Sequence, residues 1–276
     1  MTDIWNLIIL RPVTNFLIVL SDLLFGQFGL AIIVLTIIIN LILLPLTIKQ
    51  MKTTKKTAEL QPKLQALQKK YANDQQALAQ AQMQLYKESG ISPTGCLLPM
   101  FIQMPVWIAL YQSIMRVMAV YPESFLNLSS LIYSWDIIFK ALPLKTTFLG
   151  MNMSTSNFIM AILVGLSMYL QTKMTTNAST GNNPQMQQQQ QMMQVMMPAM
   201  FVFLAMTLPS GLSLYWIVNA IIRMVMQYFY TGWGGLQPWV DKIAGLLHIK
   251  KKETAQTPVS SKKSGQRGSN GPISKK

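Results

Sequence analysis

Apolar residues in this chain come in long blocks rather than at the short period of an amphipathic surface helix. A block of about 20 apolar residues is what spans a bilayer, and in lipid it must be a helix because the backbone has only itself to bond. Residues 1–28 are apolar but punctuated by Arg11, Pro12 and Asp22, with Phe16, Leu17, Leu20, Leu23 and Leu24 at helical spacing. This pattern predicts an amphipathic helix lying in the membrane interface, the other reading being a short first span. Gly29 to Ile48 is the first clear span, followed at once by Lys49, Lys52, Lys55 and Lys56.

Residues 49–95 hold eight lysines and no arginine. Leu60, Leu64, Leu67 and Tyr71 form one helical stripe, Leu78 and Leu85 a second, with Asn73-Asp74 suited to the turn between them. The expectation is an antiparallel helical hairpin outside the membrane, opened or kinked at Pro62. Leu97 to Val120 is the second span, and residues 121–155 form a loop with Tyr121, Tyr133 and Trp135, aromatics that suit the headgroup level. Asn157 to Gln171 and Met193 to Leu208 read as short third and fourth spans around a polar stretch, 173–192, whose glutamine run reads as a solvated loop. After a turn at Pro209-Ser210-Gly211, Leu212 to Tyr230 is the fifth span, closed by Tyr228, Tyr230 and Trp233. Residues 238–249 suit a second interfacial helix, and 250–276 are compositionally disordered.

The fold class expected is therefore an all-α integral membrane protein with five transmembrane helices, a cytosolic hairpin at about 49–95 and an N-terminal interfacial helix. Three regions follow: 1–28, a five-helix core at 29–230, and a basic segment at 231–276. Basic residues set the orientation. The hairpin has eight lysines and 231–276 carries nine Lys or Arg, against Arg11, Lys140 and Lys145 opposite. The N-terminus is expected outside, the hairpin and C-terminus in the cytosol.

Composition sharpens this picture. Charged residues make up 12% of the chain, half the share usual in soluble domains, and mean hydropathy is +0.31. A net charge of +14 implies an anionic neighbour: lipid headgroups, RNA or acidic polypeptide, with no DNA partner indicated. Cys96 is the one cysteine, so no intrachain disulfide is expected. The N-terminus lacks the charge and cleavage pattern of a signal peptide, so the chain is expected to be mature as written.

None of the nine acidic residues lies in an expected span, which weakens proton-coupled transport. No phosphate-cradling glycine motif is present, and SGLS at 210–213 does not match a nucleophile elbow. No catalytic residue, metal ligand or cofactor site is expected. The spans instead carry neutral polar groups: Thr36 and Asn40, then Gln103, Gln112 and Ser113, then Tyr215, Asn219 and Gln227 with Arg223. Asn219, Arg223 and Gln227 share one helix face. Most of the Ser and Thr suit hydrogen-bonded helix packing. Asn40, Gln103 and Arg223 are costlier to bury and point to a wet cavity. Arg223 either snorkels to the inner belt or lines that cavity.

GLAIIVLT at 29–36, LPLTIKQ at 44–50, ELQPKLQALQKKY at 59–71, LYKESGISPTGCLLPMFIQMPVWIALY at 85–111 and PSGLSLYWIVNAI at 209–221 occur in this order. Together they resemble the YidC/Oxa/Alb insertase family, in a short bacterial form, along nearly all of 12–230. The resemblance implies five core helices around a hydrophilic groove closed to the outside, in a bacterial cell membrane. It implies a non-enzymatic insertase and chaperone for nascent membrane proteins, alone or beside the Sec translocon, without a cofactor. The groove residues would be Asn40, Thr36, Gln103, Gln112, Tyr215, Asn219 and Arg223. Lys56, Lys63, Lys69, Lys70 and Tyr71 would belong to the hairpin that receives substrate. Basic C-tails in relatives bind ribosomes; here the tail's basic residues suit ribosomal RNA or anionic lipid, with lipid or no specific role the favoured reading. The family pattern places an arginine where this chain has Asn40, so Arg223 is expected to supply the charge from the fifth span. A passive channel or carrier is the alternative reading, and a chaperone that only assembles inserted spans is another.

Overall fold

The computed structural model describes residues 2–72, 74–90, 98–118, 128, 131–135, 138, 144–175 and 184–246. The loop residue Tyr121 and the tail 250–276 lie outside the described residues. The chain divides into two compact units, Met1–Pro238 and Trp239–Lys276.

The first unit is mostly helical. A short helix α1 (Thr2–Trp5) runs through a π turn at Asn6–Leu10 into α2 (Arg11–Leu23), with Pro12 in the first turn, where its missing N–H costs nothing. Phe25 and Gly26 then adopt positive φ, and Gly26 N–H bonds the Ser21 carbonyl, which turns the chain back into α3 (Phe28–Ile42). Leu43 closes α3, and α4 (Leu44–Glu59) leaves it bent by 66°, with Pro45 in its first turn. Helix α5 (Gln61–Lys70) follows, also with a proline in its first turn. Asp74 accepts a bond from Ala77 N–H and so caps α6 (Gln75–Glu88). Leu60 and Leu64, at the start of α5, pack against Leu85 and Tyr86 at the end of α6. Helix α7 (Leu98–Val117) has Pro105 in its interior.

A two-stranded ribbon, β1 (Thr147–Phe148) and β2 (Met151–Asn152), stands where the sequence predicts only loop. Leu149 and Gly150 both take positive φ, the geometry that joins two twisted strands in the fewest residues. The ribbon presses Phe148 onto α3, where a Cβ on Gly29 would lie 2.2 Å from the ring. Helices α8 (Phe158–Thr175), α9 (Pro184–Thr207) and α10 (Ser210–Thr231) complete the unit. Gly165 of α8 faces Val202 of α9, again closer than a side chain allows. Gly232, at φ +72°, ends α10. Helix α11 (Gln237–Leu246) begins at the end of the first unit and is described as far as Leu246.

The buried core draws on α2, α3, α7, α8 and α10, with Ala205 of α9 and with Leu128, Ile138, Phe148 and Met153 from the connecting region. Among the described residues, three helical runs are long and apolar enough to cross a membrane: Asn6–Leu23, Phe158–Thr175 and Ser210–Thr231. The bent pair α3–α4 makes a fourth if taken as one span, and Gln194–Thr207 is a shorter apolar helix.

Three expectations change. Helix α8 runs 18 residues, about 27 Å, so the third span is not short. The glutamine run is helical rather than a loop, because α9 begins at Pro184; glutamine is a good helix former and simply extends the apolar helix. The apolar stripe of the N-terminal segment divides, Leu17 being fully buried and Leu23 65% exposed, because α2 packs on α3 and α7 with a face that also carries Thr14 and Asn15.

Candidate functional site

Four side chains on α10 recur at every fourth position: Tyr215, Asn219, Arg223 and Gln227. Such spacing places them on one face, over about 18 Å. Each meets a polar group from another helix. Asn40 on α3 donates through Nδ2 to Asn219 Oδ1 at 3.1 Å and to the Thr36 carbonyl at 2.8 Å. Thr36 in turn donates to the Ile32 carbonyl at 2.6 Å. Gln103 on α7 uses both ends of its amide: Nε2 donates to Tyr215 Oη, and Oε1 accepts from Arg223 Nη2 at 3.1 Å. Gln227 accepts from Thr175 of α8 at 3.1 Å. Thr36, Asn40, Tyr215, Asn219 and Gln227 are buried, whereas Gln103 and Arg223 are half-buried.

Among the described residues Arg223 meets a neutral amide and no carboxylate. Its charge is therefore unpaired among the described residues, and it has donors to spare for a further acceptor. The face as a whole offers amides, hydroxyls and one cation. Such groups can donate to and accept from a polar chain.

Asn40 and Arg223 do not bond each other directly. Asn40 takes Asn219, one turn along α10, and Gln103 takes Arg223. Gln112 is not part of this face either. It lies two and a half turns beyond Gln103 on α7 and accepts from Trp5 Nε1 at 3.0 Å. There it joins a second polar cluster that sequence reading did not single out. Thr14 shares a 2.9 Å hydrogen bond with Ser113. Asn15, 2% exposed, donates to the carbonyls of Arg11 at 2.7 Å and Leu131 at 2.8 Å, and accepts from Tyr133 N–H at 2.8 Å. Arg11 lies over the Tyr133 ring, 5.3 Å from its centroid. The available signal was two adjacent polar residues, Thr14 and Asn15, inside an apolar run.

On α4 and α5 the side chains of Lys56, Lys63, Lys69 and Lys70 are exposed, and Tyr71 is half-buried just past the end of α5. An aromatic series, Tyr111, Trp107, Trp216 and Phe201, links α7, α10 and α9 by ring contacts of 5.2 to 6.2 Å.

Comparison with known proteins gives these positions a context. The family described as 60Kd inner membrane protein matches residues 20–234. A protein of Alkalihalophilus pseudofirmus named membrane protein insertase YidC is 39% identical over 233 residues, covering 82% of this chain and 81% of that protein. One of the same name from Oceanobacillus iheyensis is 37% identical over 230 residues, covering 81% and 82%. A crystal structure of an active YidC insertase, with its first transmembrane domain resolved, superposes with a TM-score of 0.52 at 28% identity, over 76% of this chain and 43% of that one. The match takes in α3 to α10 and with them every residue of the polar face, and this chain belongs to the YidC/Oxa family of 60Kd inner membrane proteins.

Proposed function

We propose that the chain is a membrane protein insertase and chaperone. It moves hydrophobic segments and short polar tails of nascent proteins from the cytosol into the bilayer. The observation that carries this reading is the polar face of α10, whose Arg223 is held by Gln103 and not neutralised by a carboxylate among the described residues. A lone guanidinium inside apolar helices is costly, and it suits a site where an acidic or polar chain passes.

In this reading α3, α7, α8, the apolar part of α9 and α10 are five core spans at 29–230, with 1–28 at the interface outside and 231–276 in the cytosol. Thr36, Asn40, Gln103, Tyr215, Asn219 and Arg223 line the hydrophilic groove, and Gln112 marks its outer end beside Trp5. Arg223 supplies the positive charge that Asn40 does not. Lys56, Lys63, Lys69 and Lys70 with Tyr71 first meet the substrate. Its polar tail then enters the groove, where the amides and the guanidinium replace bulk water. Its apolar segment passes between helices into lipid, driven by about 25 cal/mol for each Å² buried. The step needs no bond-breaking group. The Sec translocon and the ribosome are partners proposed on family grounds, the latter through the basic tail.

Purified chain in liposomes, given a two-span substrate with an acidic tail, tests the reading. Protease protection of the tail is expected for wild type and loss of protection for Arg223→Ala. Full activity of Arg223→Ala would remove the relocated charge. No insertion by wild type would leave an assembly chaperone.

A further inference from the structure

Lys49, Lys52 and Lys56 on α4 are all exposed. At 100° per residue they fall within a sector of about 60°. The one buried residue of α4 is Thr47, two positions before Lys49 and roughly opposite that sector. The three ammonium groups therefore point away from the helical bundle.

The bend gives them a depth. Helix α4 leaves α3 at 66°. For a span along the bilayer normal, each residue of α4 then moves only about 0.6 Å further from the end of that span. Lys49, Lys52 and Lys56 lie about 4, 5 and 8 Å from it by this rise, within a Debye length of about 8 Å at physiological ionic strength. Lys63 and Lys70 lie further along the chain on α5, past the junction at Leu60.

We propose that Lys49, Lys52 and Lys56 form a binding site for anionic lipid headgroups of the cytosolic leaflet, which holds the α5–α6 pair down toward the membrane surface. Lysine near an anionic surface gains about fivefold in attraction per residue. Its compact charge on a long apolar stem suits headgroups without fixed geometry. Of the four lysines proposed to meet the arriving chain, Lys56 is thereby engaged by lipid, and Lys63, Lys69 and Lys70 are left to it. The proposal rests on the reading of α3 as a span.

The test uses the full chain with Cys96→Ser and one label, on Ala58→Cys, in phosphatidylcholine vesicles with or without phosphatidylglycerol. Quenching by headgroup-labelled lipid reports approach to the surface. Phosphatidylglycerol is expected to increase quenching severalfold, and salt to reverse it. The increase should vanish in Lys49→Gln/Lys52→Gln/Lys56→Gln, return in the corresponding triple arginine variant, and persist in Lys63→Gln/Lys70→Gln. Three results overturn the proposal: quenching indifferent to phosphatidylglycerol, quenching retained in the triple glutamine variant, or equal loss in the distal pair. Approach induced by added RNA or acidic polypeptide in its absence would overturn it in favour of a soluble polyanion. A second label at Ile37→Cys must be quenched from the acyl chains in either vesicle. Failure there would overturn the spanning reading itself, an outcome separable from failure at Ala58.

Discussion

Gln103 has its amide oxygen on Arg223 and its amide nitrogen on Tyr215, so a single residue of α7 ties two positions of α10. Replacing it with leucine leaves both partners half-satisfied inside the bundle, and a loss of about 1–3 kcal/mol in stability is expected. Thermal unfolding in detergent would measure it. Gln103→Glu keeps the shape and changes the charge. A carboxylate at that oxygen would pair with Arg223, so insertion of acidic tails should fall while neutral tails still insert, as protease protection can show. Asn15 invites the same argument. The three hydrogen bonds of this buried side chain suggest that Asn15→Ala costs about 1–3 kcal/mol, again read as a lower unfolding midpoint. The polar positions of the spans were legible because glutamine, asparagine and arginine stand out against leucine and isoleucine. Their pairing was not. Sequence reasoning had Arg223 supply the charge missing at Asn40, but rotation about each helix axis decides which side chains meet. That rotation put Asn219 opposite Asn40 and Gln103 opposite Arg223.

Helix ends and bends follow from local chemistry to different degrees. Asp74 at the start of α6 could be read directly, since a short acidic side chain ahead of an apolar stripe is a capping signal. The start of α9 could not, because polarity along 184–191 says loop while the propensity of glutamine says helix. The ribbon at 147–152 was hidden for another reason: the first turn position, at a positive φ, holds leucine where asparagine, aspartate or glycine is the usual signal. At the break between α3 and α4, Pro45 cannot donate to the carbonyl four residues earlier, so the ladder is interrupted where the apolar run ends. Pro45→Ala should restore that bond and straighten the pair. Labels at Ile37 and Ala58 would then move apart by about 4 Å, a change that pulsed spin-resonance distances can resolve. The contact of Gly165 with Val202 yields a second test at this scale. Gly165→Leu should destabilise the α8–α9 pair by about 1–3 kcal/mol through overpacking, and Val202→Ala should recover part of the loss in the unfolding midpoint.

Across the molecule, charge and apolarity are sorted rather than mixed. Apolar blocks were legible as helices from their length: α3, α7, α8 and α10 fall on blocks the sequence marks, whereas the run Asn6–Leu23, read there as interfacial, is itself long and apolar enough to cross a membrane. Basic residues gather in two places, the α4–α6 region and the segment after residue 231. If insertion depends on the polar face and on lipid, the second of these is dispensable to the purified protein. Truncation after Ile249 should leave tail translocation in liposomes unchanged, while lowering co-sedimentation with ribosomes or anionic vesicles in a salt-sensitive way.

The grip of Asn15 reaches only main-chain atoms, two carbonyls and one N–H. A clasp of that kind reads the path of the partner strand and not its spelling. Residues 131–133 can thus change identity while the clasp holds, provided the backbone there keeps its course. A substitution library across both segments should accept many residues at 132 and few at 15, and a connecting loop transplanted from another protein would be judged by its curvature before its composition.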